Sequence, residues 1–145
     1  TVSNSNSSRS MDASLLEAGA KVTAGFSLAF LTAVGVQVGR KFRAQAEAKR
    51  AGKQFERYAG TNRDLVVVDR VVANFTEWAP HFYALFWSAL AVRPDLRDSI
   101  VKAGWLYVAC RVGYVFVGVY GNGLGRMGAK APILLTTFPA YGSLA

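Results

Sequence analysis

Apolar residues gather into four long runs, separated by short polar or basic pieces. The first, VTAGFSLAFLTAVGVQVG, fills the 18 positions between Lys21 and Arg40 without a charge. As a helix it spans about 27 Å, close to the hydrocarbon thickness of a bilayer. It has no Pro and is apolar on all sides, so it needs an apolar surround rather than one core-facing stripe. Gly35 and Gly39 have the small-xxx-small spacing at which membrane helices approach closely. A Ser-rich segment precedes this run where a signal peptide would have a basic start. The second run, Val71 to Val92, lies between Arg70 and Arg93 and contains Asn74, Glu77, Pro80 and His81. The third, Ala103 to Gly125, lies between Lys102 and Arg126 and contains Arg111. The fourth, APILLTTFPAYGSLA, has 15 residues and two prolines, and reads as a short, kinked span or a truncated helix. These runs predict an all-α, membrane-spanning four-helix bundle, its fourth helix short or truncated.

The connecting pieces are small. Residues 1–12, TVSNSNSSRSMD, read as a flexible polar tail, and residues 13–145 as a single transmembrane domain. The first residue is Thr rather than Met, as expected if an upstream targeting peptide has been removed. Residues 40–63 form a basic, helix-prone loop in which Arg43 and Glu47 have i,i+4 pairing distance. The sequence GNGLGRMG at 121–128 reads as the connection between the third and fourth spans.

Composition agrees with this layout. Of the 145 residues, 52% are apolar and 18% charged, against about 25% charged in soluble domains. The mean hydropathy is +0.21. So much apolar side chain excludes an intrinsically disordered chain. One cysteine, Cys110, excludes an intramolecular disulfide and a Cys-cluster zinc site, and one histidine, His81, argues against a multi-histidine metal site within one chain. No metal is expected.

The net charge of +8 fits either nucleic acid or a membrane surface. Its distribution favours the membrane. Nine of the 17 Lys and Arg residues fall between Arg40 and Arg70, while long stretches elsewhere are nearly uncharged. With four spans, the side carrying the 1–2 and 3–4 loops holds eleven basic residues and the opposite side five. The positive-inside rule then puts both termini on the far side. The basic loop is either topogenic alone or a grip on anionic headgroups or an acidic partner.

Ionisable groups inside the apolar runs are the candidate chemistry. A charge at the centre of a membrane helix costs roughly 2.5–3.5 kcal/mol by insertion measurements, so such groups face the bundle and find partners. Glu77 on the second helix is therefore expected to meet Arg111 on the third. Arg70, Asn74, Glu77 and His81 recur at i, i+4, i+7 and i+11, one helix face. Tyr107, Arg111 and Tyr114 form a second stripe of the same period. Facing each other, the two stripes make either a polar cleft for a zwitterionic or anionic ligand, or a hydrogen-bonded seam between helices.

The run Asp69-Arg70-x-x-x-Asn74-x-x-Glu77-Trp78-x-Pro80-x-Phe82, followed by Leu85 and Trp87, resembles the signature of the MAPEG family, the membrane-associated proteins in eicosanoid and glutathione metabolism. Gly104-x-x-Tyr107-x-x-x-Arg111-x-x-Tyr114 is similar to that family's next helix. The resemblance covers residues 65–120 and the four-span layout. It implies four-helix protomers assembled as homotrimers, with glutathione held between protomers near the cytosolic side. It also implies conjugation of the glutathione thiol to lipophilic electrophiles, or its use to isomerise or reduce lipid peroxides. By the motif, Arg70 and Asn74 would contact the carboxylates or backbone of glutathione and Glu77 its amino group. Tyr114 would assist, and Arg111 and Tyr107 would line the same cleft. Arg126 is the candidate for the cation that raises the thiolate fraction.

Some positions depart from the pattern. Val72 stands where many family enzymes have Gln, Trp78 where Tyr is common, and Gly118 where a second Tyr is expected; the spacing of Arg126 is one residue off. These departures support a rival reading, a non-catalytic accessory subunit of a larger photosynthetic or respiratory membrane complex. The expected partners are membrane lipids, together with either two further copies of the chain or other membrane subunits, and no nucleic acid. The expected location is the endoplasmic reticulum or an organelle membrane, thylakoid or mitochondrial.

Overall fold

The computed structural model describes residues 3–55 and 62–120, with side-chain surroundings from Ala13 onward and without those of Arg63 and Tyr120. Among the described residues there are three α-helices: α1 (Ser3–Arg50), α2 (Arg63–Val92) and α3 (Arg97–Tyr120). A 3₁₀ turn at Pro94–Leu96 joins α2 to α3. The fourth apolar run, the Gly-rich connection before it and Arg126 lie outside the described residues. The all-α class is therefore observed, with three helices of the expected four-helix bundle.

Helix α1 is longer in both directions than its apolar run. It begins at Ser3, within the segment read as a tail, and continues through Arg50, so the first half of the expected basic loop is helix. Its 48 residues extend over about 72 Å. It closes at Gly52, whose φ of +66° is readily adopted only by a residue without Cβ. There Gly52 N–H donates to the Lys49 carbonyl at 3.2 Å and Lys53 N–H to the Ala48 carbonyl at 2.9 Å. Helix α2 starts cleanly because the Asn62 side chain accepts from the backbone N–H groups of Asp64 and Leu65. Pro80 sits inside α2 without ending it.

Each helix packs on the other two. The shared core is aromatic: Phe26 of α1, Phe75, Phe82 and Phe86 of α2, and Tyr107 of α3 are all buried. Phe82 and Tyr107 stack at 4.4 Å with planes 6° apart, and Phe26 lies 4.9 Å from Phe82. In lipid the surround is itself apolar, so such contacts hold helices together by packing rather than by exclusion of water.

Glycines set where the helices come closest, but not the pair expected. A Cβ on Gly35 or Gly39 would meet nothing within 4 Å. Tight positions are Gly19 and Gly25, which seat the rings of Trp87 and Trp105, Gly104, where a Cβ would lie 2.7 Å from Phe86 and 2.8 Å from Val22, and Gly118 against Val71. The small-xxx-small spacing identified a permissive face of α1, while the bulky partner rings decided which glycines were used.

Two helices, α1 over Ala13–Arg50 and the stretch Pro94–Val119 that includes α3, are long and apolar enough to cross a membrane. Helix α2, at about 45 Å, has the length, but its polar residues lower its hydropathy.

Candidate functional site

The polar side chains of α2 and α3 converge on one buried guanidinium. Arg111 is 2% exposed. Its Nη1 donates to Asn74 Oδ1 at 2.5 Å and its Nη2 to the Tyr107 hydroxyl at 2.9 Å. Its Cζ also lies 4.9 Å from the centroid of the Tyr107 ring. The third donor, Nε, is buried without a hydrogen-bond partner among the described residues. Tyr107 is fixed in turn by its stack with Phe82, so the hydroxyl that holds Arg111 is positioned by the aromatic core.

The expected Arg111–Glu77 ion pair does not form. Glu77 is exposed on α2 and makes no ion pair with another described residue. An amide and a phenol satisfy the guanidinium instead of a carboxylate. Asn74 lies three residues before Glu77 on α2, and it is this residue that α2 turns toward Arg111. The i,i+4 pair expected between Arg43 and Glu47 is also absent, and both side chains are exposed.

The two predicted stripes are thus only partly in register. Tyr107, Arg111 and Tyr114 are all buried. Asn74 is half-buried, whereas Arg70, Glu77 and His81 lie on an exposed face of α2 that continues through Ala73, Pro80 and Ala84. Tyr114 lies one turn beyond Arg111 on α3 and is buried. Its hydroxyl makes no hydrogen bond to another described residue.

Close packing next to the site explains one departure from the expected pattern. A Cβ on Gly118 would lie 2.8 Å from Val71 Cγ2. Gly118 is one turn beyond Tyr114, where the resemblance leads one to expect a second tyrosine, and α2 occupies that space in this chain.

A second polar group was not anticipated. At the basic end, Asp69 of α2 accepts from Gln37 Nε2 at 2.6 Å and pairs with Lys41 Nζ at 2.7 Å. Arg40 Nη2 donates to the Val119 carbonyl at 3.1 Å, and its Nη1 lies 3.7 Å from Asp64. These bonds tie α1 to the first turns of α2 and the last turn of α3. Gln37, the lone amide in the first apolar run, was the available signal, because a buried amide needs a partner.

Comparison with known families gives a direct answer. A model of the MAPEG family matches residues 19–144, nearly the whole chain. The chain belongs to the MAPEG family. No curated protein and no solved structure matches it. The matched region includes the MAPEG motif from Asp69 through Trp87 and the Tyr107, Arg111 and Tyr114 stripe described above. Family membership and the two apolar helices make it a membrane protein.

Proposed function

We propose that this MAPEG protein binds glutathione and uses its thiol on lipophilic substrates, as a transferase or peroxidase. The supporting observation is the exposed α2 face, where Arg70 and Glu77 stand two turns apart with no ion pair to another described residue. Opposite charges in a membrane segment call for a partner, and here they are about 10.5 Å apart along the axis. A tripeptide spans at most roughly 10–11 Å. Glutathione carries an ammonium and a carboxylate at one end and a second carboxylate at the other. Glu77 would take the ammonium and Arg70 a carboxylate, as an Arg fork suits that group. The Tyr114 hydroxyl would donate toward the ligand between them. Arg111 would act from behind, holding Asn74 and Tyr107 in place. When bound, glutathione supplies the nucleophilic sulfur; Arg126 is the candidate cation for favouring its thiolate.

The same exposed face supports assembly. Arg70, Glu77 and His81 are costly against lipid. A homotrimer that covers this face with neighbouring copies would shield them and complete the ligand site. The accessory-subunit reading is favoured by Gly118, where α2 fills the space of the expected tyrosine; other membrane subunits would then cover the face.

The test is turnover of glutathione with 1-chloro-2,4-dinitrobenzene by the detergent-solubilised protein, together with its native assembly mass. A homotrimer with activity that falls at least tenfold in Glu77→Gln and Arg70→Ala is expected. A folded, inactive protein found at one copy within a heteromer would overturn the enzymatic reading.

A further inference from the structure

The part of α1 beyond the apolar run has a shape and charge order of its own. Leu31, Gly35, Val38, Phe42, Gln45 and Lys49 recur at i, i+4, i+7, i+11, i+14 and i+18, which is one helix face. Its lower half is apolar and uncovered: Leu31 is 63% exposed, Val38 42% and Phe42 66%. Nothing stands within 4 Å of a Cβ at Gly35, so the track is open there too. From Leu31 to Phe42 the helix rises about 16 Å, close to the depth of one leaflet of hydrocarbon.

Above Phe42 the chemistry changes sharply. Gln45 and Lys49 continue the same line, while Arg43 and Arg50 lie about 100–120° around the helix from it. The turn at Gly52 then brings Lys53 to the helix end and folds the chain back. As a result Val38, Lys41, Phe42, Gln45 and Phe55 line one concavity of about 210 Å³. Arg40 and Lys41 are committed to Asp64 and Asp69. Arg43, Lys49, Arg50 and Lys53 make no ion pair with a described residue, and Glu47 is the single acid between Arg40 and Lys53.

We propose that this face of α1 is a binding site for an anionic phospholipid. An acyl chain lies along Leu31, Gly35 and Val38, the glycerol region rests against Phe42 and Gln45, and the phosphate is held by Lys49. Arg43, Arg50 and Lys53 add to the field within about one Debye length of the surface. An apolar track one leaflet deep, topped by cations that make no ion pair with a described residue, matches the order of tail and headgroup in such a lipid. An acidic soluble protein would use the cations but leave the apolar track unexplained. The proposal rests on the membrane reading and is independent of glutathione chemistry.

Native mass spectrometry of the delipidated full chain tests it, with phosphatidylglycerol and phosphatidylcholine offered in equal amounts at low salt. Each cation near an anionic surface strengthens binding about fivefold. Retention of phosphatidylglycerol is therefore expected to exceed that of phosphatidylcholine at least tenfold. Arg43→Gln, Lys49→Gln, Arg50→Gln and Lys53→Gln together should abolish that preference. Phe42→Asn should lower retention of both lipids, and Lys21→Gln with Lys102→Gln, at the other end, should change nothing. Equal retention of the two lipids overturns the proposal, as does a preference that survives the fourfold substitution. So does an oligoglutamate peptide that binds the wild type more tightly than phosphatidylglycerol, since that assigns the patch to a protein partner. None of these readouts depends on turnover, so a failed glutathione assay leaves the outcome unaffected.

Discussion

Replacing Asn74 with Ala should destabilise the protein more than replacing Arg111 itself. Arg111 is 2% exposed, and the Asn74 carbonyl oxygen is one of its two hydrogen-bond acceptors among the described residues. In Asn74→Ala the guanidinium keeps its charge and its burial but loses that acceptor, with Nε already unpartnered. A hydrogen bond to a charged group contributes about 1.5–3 kcal/mol, and stranding the charge tends toward the upper end. In Arg111→Met the charge disappears along with its need for acceptors. The thioether fills much of the volume, and the amide and phenol left behind are neutral and partly able to turn elsewhere. Swapping a buried charged group for an apolar one of similar size is often close to neutral. The expected order is therefore a loss of about 2 kcal/mol for Asn74→Ala, and under about 1 kcal/mol for Arg111→Met. For a chain of this length, 2 kcal/mol corresponds to a fall in Tm of about 6 °C. Tryptophan fluorescence during thermal unfolding in detergent reads this directly, with Glu77→Gln as the control. Because Glu77 is exposed and makes no ion pair with a described residue, that substitution should leave Tm within about 1 °C. Equal losses for Asn74→Ala and Arg111→Met, or a loss for Glu77→Gln as large as that for Asn74→Ala, would refute the reasoning.

Other perturbations follow from the packing and the caps. Gly104→Val should destabilise by about 1–3 kcal/mol, since its side chain would enter space held by Phe86 and Val22, whereas Gly35→Ala should be neutral or stabilise by up to about 1 kcal/mol; both are measured by thermal unfolding. Asn62→Ala should cost about 1 kcal/mol through loss of the α2 cap, with hydrogen exchange accelerated in the first turn of α2. Asp69→Ala removes the acceptor shared by Gln37 and Lys41, and should raise proteolysis between Arg50 and Asn62 more than it lowers Tm.

The sequence patterns made the helices legible but not their rotation about their own axes. Long apolar runs identified α1, α2 and α3, and the basic, Ala-rich composition of residues 40–50 pointed to helix there. Which residues face inward depends on contacts across three helices. A charge-based argument paired Glu77 with Arg111 because opposite charges attract over the longest range. In the structure, α2 is rotated so that Phe75, Phe82 and Phe86 fill the core, and that rotation leaves Asn74 near Arg111 and Glu77 outside. Ring packing over several turns outweighed one ion pair, whose net contribution after desolvation is small. The glycines show the same logic. Spacing marked Gly35 and Gly39, but a glycine is used only where a large neighbour arrives, and Trp87 and Trp105 arrive at Gly19 and Gly25. The family motif singled out Arg70, Asn74, Tyr107, Arg111 and Tyr114 together, and of these the structure joins Asn74 and Tyr107 to Arg111 by hydrogen bonds.

The uneven distribution of small residues and polar bonds has a mechanical consequence. Near Gly19, Gly25 and Gly104 the three helices are joined mainly by bulky rings seated on bare backbone, with polar ties from Arg97 to Ser14 at 2.8 Å and between the Ser27 and Tyr83 hydroxyls at 3.2 Å. At the other end, where Gly118 packs on Val71, the helices are also joined by Gln37, Arg40 and Lys41 reaching to Asp69, Asp64 and the Val119 carbonyl. One end behaves like a riveted joint, the other like a magnetic clasp. Concentrated electrolyte would weaken the ion pairs of the clasp and leave the ring contacts in place, so salt acts on one end of the bundle more than on the other.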